Sequence, residues 1–198
     1  MKKIETIYHH LLYSAQAKEV YRHTQQAVAR QFGYSLSTIN LALSVPTQIG
    51  AVRKESKYFV VADFKKLLYY WASVRNLEKD IYYRTYMDLP VTEIESLVPP
   101  HSIFGGYTAG KHILKEPPAD YDKIYFYTAL PQAEMEKRFP LDHRRTANVY
   151  ALKLPPTLAV YGAYSTLPQT FVDIWKLSDW YAHDFIQSLE AKMHGLLS

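Results

Sequence analysis

Residues Thr24–Val61 read TQQAVARQFGYSLSTINLALSVPTQIGAVRKESKYFVV, and the fold of the chain turns on them. The pattern is helix, tight turn, second helix, then a two-stranded hairpin with a basic tip. Ala29 lies four residues before Gly33, and Ile39 lies six residues after it. In a helix-turn-helix the first of these positions must be small, because the second helix crosses close over it. The second is the turn, where φ > 0 is cheap only for glycine. The third is an aliphatic plug that holds the two helices at their angle. Val28, Phe32, Leu36 and Leu43 complete an inward face at helical spacing. Thr24 and Ser35 stand where the two helices need N-caps.

The second helix presents short polar side chains outward: Ser37, Thr38 and Asn40. Such residues approach base edges without steric conflict, and an asparagine can bond adenine in a bidentate way. Val45-Pro46 is expected to end that helix, since a residue before proline is pushed out of the α region. Ala51-Val52 and Tyr58–Val61 then read as strands flanking Arg53-Lys54-Glu55-Ser56-Lys57. A hairpin tip with three cations is a wing suited to phosphate contact. The expected contact set for double-stranded DNA is Ser35, Ser37, Thr38 and Asn40 on the helix, with Arg53, Lys54 and Lys57 on the wing.

Charge is distributed to match. Residues 1–75 carry 11 Lys/Arg against 4 Asp/Glu (+7), and residues 76–198 carry 12 against 15 (−3), for a net charge of +4. A basic half that contains the candidate reader is the electrostatic footprint of a polyphosphate partner. The chain has 198 residues, 48% of them hydrophobic, which excludes general disorder. It has no cysteine, ruling out disulfides, thiolate zinc sites and cysteine nucleophiles, and suiting a cytoplasmic protein. No apolar run is long enough for a membrane span, and the N-terminal stretch is amphipathic rather than a signal peptide.

Working outward, Ile4, Ile7, Tyr8, Leu11 and Leu12 predict an opening helix that packs on the helix-turn-helix, with 15–23 as connector. After the wing, Asp63 can cap a helix through Leu77 with Phe64, Leu67, Leu68, Trp71 and Val74 on one stripe. That apolar surface suggests a spine between domains or a homodimer contact. The organisation expected is α+β: a winged helix-turn-helix over 1–62, a connecting helix and linker over 63–90, and a mixed α/β domain over 91–198. In the last, Thr92 is a candidate cap for a helix over Val91–Leu97. Ser102–Phe104, Lys123–Tyr127 and Ala147–Leu152 read as strands, and Tyr107–Leu114 as a helix. Further helices enter at Ser165–Pro168, with Phe171, Val172, Ile174 and Trp175 inward, and at Ser178, running to Met193 with Gly195 beyond the end.

Candidate chemistry gathers in Ile103–Asp122. Gly105-x-x-x-x-Gly110-Lys111 is most of a phosphate-binding loop, but His112 stands where Ser or Thr should hold magnesium. Gly105-Gly106 followed by Asp120-Tyr121-Asp122 at a strand start places two carboxylates where two-metal chemistry could use them. No third carboxylate follows on Ala147–Leu152. The eight histidines form no HxxxH pair and are expected mostly at the surface; no metal or cofactor is expected.

The helix-turn-helix of 24–50, the turn of 103–110, PPADYDKIYFY at 117–127 and LPQTFVDIWKLSDWYAHDF at 167–185 together resemble the regulators related to abortive-infection antitoxins (AbiEi-like). The resemblance implies an N-terminal winged helix, a C-terminal domain of nucleotidyltransferase-like fold without its activity, autoregulated transcription and, for true antitoxins, a cognate toxin protein. The expected function is a sequence-specific DNA-binding regulator rather than an enzyme. The alternatives are a nucleotidyl-transferring enzyme using Asp120/Asp122 and a protein-docking adaptor.

Overall fold

In the computed structural model, which describes residues 1–142 and 144–197, the chain is a mixed α+β fold with two separate sheets. It divides into two units, Met1–Arg75 with Glu190–Ser198, and Asn76–Leu189. The first unit thus runs past residue 62, and the stretch read as a 63–90 connector falls partly in each unit.

The opening apolar pattern forms α1 (Lys3–Lys18), longer than expected, which stops where Glu19 takes the left-handed conformation. Ile7, Tyr8, Leu11, Leu12 and Ala15 are buried on it. The region read as connector also holds a short strand, β1 (Arg22–His23). Next come α2 (Gln25–Phe32) and α3 (Leu36–Gln48), joined at Gly33 with φ 63°. The side chains of Thr24 and Ser35 cap them, accepting from the amides of Ala27 and Thr38. Ile39 and Leu43 are fully buried and Val28 nearly so, whereas Leu36 is 48% exposed and does not join the inward face. The hairpin is β2 (Val52–Lys54) and β3 (Phe59–Val61), and β1 adds to β3 to give the antiparallel order β1-β3-β2.

Two expectations in this unit are corrected. Helix α3 does not end before Pro46 but carries it inside and continues to Gln48. Proline lacks the N–H that would bond the carbonyl of Ala42; the Tyr8 hydroxyl supplies a donor to that carbonyl at 3.0 Å instead. The second concerns α4 (Phe64–Val74), capped by Asp63, which stops before Leu77 because Arg75 is extended. Its stripe of Phe64, Leu67, Leu68 and Trp71 is buried, and the helix packs on α1. The apolar surface on which a dimer contact was expected is therefore covered within the unit itself. Arg75 and Glu5, both almost fully buried, pair at 3.6 Å where α4 ends and α1 begins.

The second unit has a four-stranded sheet. Its elements are β4 (Ile81–Thr85), α5 (Val91–Leu97), β5 (Ile103–Gly105), α6 (Gly106–Leu114), β6 (Ile124–Thr128), α7 (Gln132–Arg138), β7 (Val149–Lys153), α8 (Leu167–Ile174) and α9 (Ala182–Lys192). The strand order is β4-β7-β6-β5, with β6 and β7 parallel and the outer pairs antiparallel. Every residue of β6 is buried, as expected of a strand covered on both faces. Ile124 and Phe126 pack with Ile94 of α5 and with Met135 and Phe139 at α7. Tyr127, on the alternate face, bonds Asp173 of α8. Several local readings change. Pro90 rather than Thr92 occupies the N-cap of α5. Trp175 is 37% exposed. The last long helix starts at Ala182, and Gly195 lies inside α10 (His194–Leu197), which belongs to the first unit and packs on α4.

Candidate functional site

The roll of α3 is fixed by its buried residues, Ile39, Ala42, Leu43 and Pro46. At about 100° per residue, the opposite stripe carries Ser37, Leu41, Ser44 and Gln48, all exposed. No charged residue occurs anywhere on this helix. Ser35 and Thr38 are engaged in the cap: the Ser35 hydroxyl lies 2.8 Å from that of Ser37 and 2.9 Å from that of Thr38. Asn40 sits on the flank of the stripe rather than at its centre, and Lys54 Nζ of β2 donates to its Oδ1 at 3.3 Å. The helix and the hairpin thus meet through one polar pair, side by side at the surface.

On the hairpin, Arg53 Nε donates to Glu55 Oε1 at 3.1 Å. Lys57 is exposed and, with Thr24, Gln26, Leu36 and Tyr58 among others, lines an open cleft of about 450 Å³ between the start of α2 and the hairpin tip. Of the seven residues expected at a DNA contact, all lie in the first unit; the structure brings Asn40 to Lys54 and groups Ser35, Ser37 and Thr38. Sequence reading missed Leu41 and Ser44, because residue types do not give the roll of the helix, and Gln48, because Pro46 was expected to end it. It also missed Arg22, whose guanidinium stacks 3.6 Å above the Tyr58 ring; a two-residue strand leaves no periodicity to find.

The glycines of the second unit do a different job from the one their spacing suggested. Gly106 opens α6 at φ 49°, and a Cβ there would lie 2.9 Å from the Tyr125 ring. Gly110 is within the helix rather than in a loop, and its Cβ would lie 2.8 Å from Phe185. Lys111 pairs with Glu95 at 3.3 Å. Asp120 is exposed, while Asp122 Oδ1 accepts from the Tyr181 hydroxyl at 2.5 Å. Asp179 accepts from the Tyr107 hydroxyl at 2.7 Å and pairs with Lys123. Burial, reinforced by the Asp179 bond, pushes the Tyr107 phenol far above its ordinary value. Tyr125 stacks on Tyr150 with centroids 4.6 Å apart. This explains part of the unit's tyrosine content: large rings fill space beside the sheet, and the hydroxyls of Tyr107, Tyr121, Tyr127 and Tyr181 donate to carboxylates. Among the described residues no group of three or more His, Asp or Glu is placed to hold a metal ion.

No family model, curated protein or solved structure matches the chain. Function must be read from the side chains themselves.

Most of the histidines were expected at the surface, but His9 and His10 are buried. His9, at 1% exposure, packs beside Trp71, and burial, with His10 next to it, lowers its pKa to about 3. His10 is held at about 4, by burial first and then by His23 and Lys18. Its Nδ1 lies 3.3 Å from the Gln31 amide nitrogen, and its ring contacts those of His23 and Phe32. These neutral rings tie α1 to α2 and β1 and serve packing.

Proposed function

We propose that the chain is a cytoplasmic, sequence-specific DNA-binding transcriptional regulator. In this reading the first unit is a winged helix-turn-helix, with α3 in the major groove and the β2–β3 hairpin on the phosphates. The observation that carries it is the Lys54–Asn40 hydrogen bond. It sets an uncharged helical face, which carries Ser37, Leu41, Ser44 and Gln48, next to a cationic strand tip. A duplex offers that same juxtaposition, since its base edges lie in a groove bordered by phosphates. Recognition by a homodimer on two half-sites would supply affinity that one such unit lacks, with no particular dimer surface now favoured. The second unit is read as nucleotidyltransferase-like and inactive. The Tyr181 hydroxyl on Asp122 and the aromatic rings against Gly106 and Gly110 support that over nucleotidyl transfer. A toxin partner rests on the resemblance to antitoxin-type regulators alone.

The test is selection of bound duplexes from a random library with the full chain, followed by titration at several salt concentrations. Enrichment of a defined sequence is expected. Lys54→Ala should reduce the log–log salt slope by about 0.9, one phosphate contact. Failure to enrich any sequence would overturn the reading.

A further inference from the structure

The centre of the outward stripe of α3 is apolar. Leu41 is 69% exposed, Val45 one turn on is also exposed, and the other neighbours along the stripe, Ser37, Ser44 and Gln48, are uncharged. A large aliphatic group this exposed gains nothing from the fold, since Ile39, Ala42 and Leu43 already fill the interior side of the helix. Ser37 and Ser44 are too short to hold an approaching surface away from it. Nor does α3 offer a cation to hold a phosphate at this spot, so what meets Leu41 has an apolar edge and lies inside the groove. In the major groove of B-DNA the apolar group that projects toward a protein is the thymine 5-methyl. We infer that Leu41 reads a thymine methyl, and that the recognised half-site places an A·T pair under the middle of α3.

The inference rests on the DNA reading and deepens it. Asn40, one residue back and nearer the hairpin, can give its Oδ1 wholly to a base only in exchange for Lys54. Leu41 needs no such exchange: it has no polar group to satisfy and already points outward. Specificity at its base pair therefore comes from burial of one methyl group and not from hydrogen bonding.

The experiment uses the full chain and the duplex enriched by selection. Each thymine is replaced in turn by deoxyuridine, which removes the methyl and leaves the pairing intact. At one position in the half-site the wild-type affinity should fall about fourfold, the factor equivalent to about 0.8 kcal/mol for one buried carbon. Leu41→Ala should lose a similar factor on the thymine duplex and become indifferent to deoxyuridine at that position, as a double-mutant cycle requires for direct contact. Leu41→Met, which keeps an apolar tip, should retain sensitivity. Equal binding of thymine and uracil duplexes by the wild type, or undiminished affinity of Leu41→Ala, overturns the assignment of Leu41 and leaves the DNA reading in place. Absence of any enriched duplex overturns both.

Discussion

The Tyr8 hydroxyl donates to the carbonyl of Ala42 across 34 residues of sequence, and this carbonyl is the one that Pro46 leaves without its helical partner. Ala42 is fully buried, so water is not at hand to replace the donor. A candidate recognition helix is thereby able to run two residues beyond the proline that should have stopped it. Tyr8→Phe should destabilise the first unit by about 1–3 kcal/mol, the usual range for a buried polar group deprived of its partner. Pro46→Ala restores an N–H at the right position, so the double variant should recover part of that loss. Urea titrations of the four proteins check it; equal losses with and without Pro46 would mean that the two residues act independently.

Buried neutral histidines make the first unit acid-sensitive. The pKa values of His9 and His10 are lowered in the fold, to about 3 and about 4. The unfolded chain, titrating near the ordinary 6.5, therefore binds protons that the native state refuses. Stability from these rings is complete above pH 6.5 and declines as pH falls toward the folded values. By pH 5 each should have lost on the order of 1–2 kcal/mol. Denaturation at pH 7.5 and 5.0, read at Trp71 with Trp175 and Trp180 replaced by Phe, should show the fall, and it should be smaller in His9→Leu. A pH-independent midpoint would mean that both rings stay accessible to protons.

Local signals were legible and distant ones were not. Ala29, Gly33 and Ile39 specify their turn within ten residues, and Thr24, Ser35, Asp63 and Thr166 cap the helices that follow them. By contrast, nothing near Pro46 announces Tyr8. The covering of the α4 stripe by α1 joins segments about 60 residues apart, so the stripe looked unpartnered in sequence. Helix α7 was missed because it buries a single apolar side chain, Met135. At the candidate site, residue types showed which side chains suit a groove but not the roll of α3. That roll puts Leu41 at the centre and turns Asn40 toward Lys54.

Gly105–Lys111 shows how spacing can imitate a motif. Its glycines meet aromatic rings instead of phosphates, since Gly110 faces Phe185 and Gly106 faces Tyr125. Gly110→Ala should destabilise the second unit by roughly 1–3 kcal/mol through overpacking. Phe185→Leu should be less harmful on the alanine background than on the wild type, because the smaller side chain admits the new methyl. Thermal melts of the full-length proteins decide this. A Gly110→Ala protein as stable as wild type would show that the ring moves aside freely and would reopen a functional reason for the glycine.

The acidic residue in the basic hairpin has an expected role that binding can measure. Glu55 accepts from Arg53 at 3.1 Å, with the arginine side chain 68% exposed, so the contact is a surface pair of small stabilising value. Its effect on a phosphate partner is larger than its effect on folding. In the proposed DNA complex the carboxylate would partly neutralise Arg53 and repel the duplex backbone, weakening binding to every sequence alike while leaving α3 untouched. Specificity depends on the ratio of specific to nonspecific affinity, which a change common to all sequences leaves where it was. Glu55→Gln should bind random duplex several-fold more tightly and steepen the salt dependence toward one additional phosphate contact, about 0.9 in log–log slope. Preference for the selected duplex over random DNA should stay as it is in the wild type. Arg53→Ala in the Glu55→Gln background should remove the gain, since the freed cation is its source. If Glu55→Gln binds random duplex no better than wild type, the hairpin tip lies away from the phosphates and Arg53 leaves the contact set.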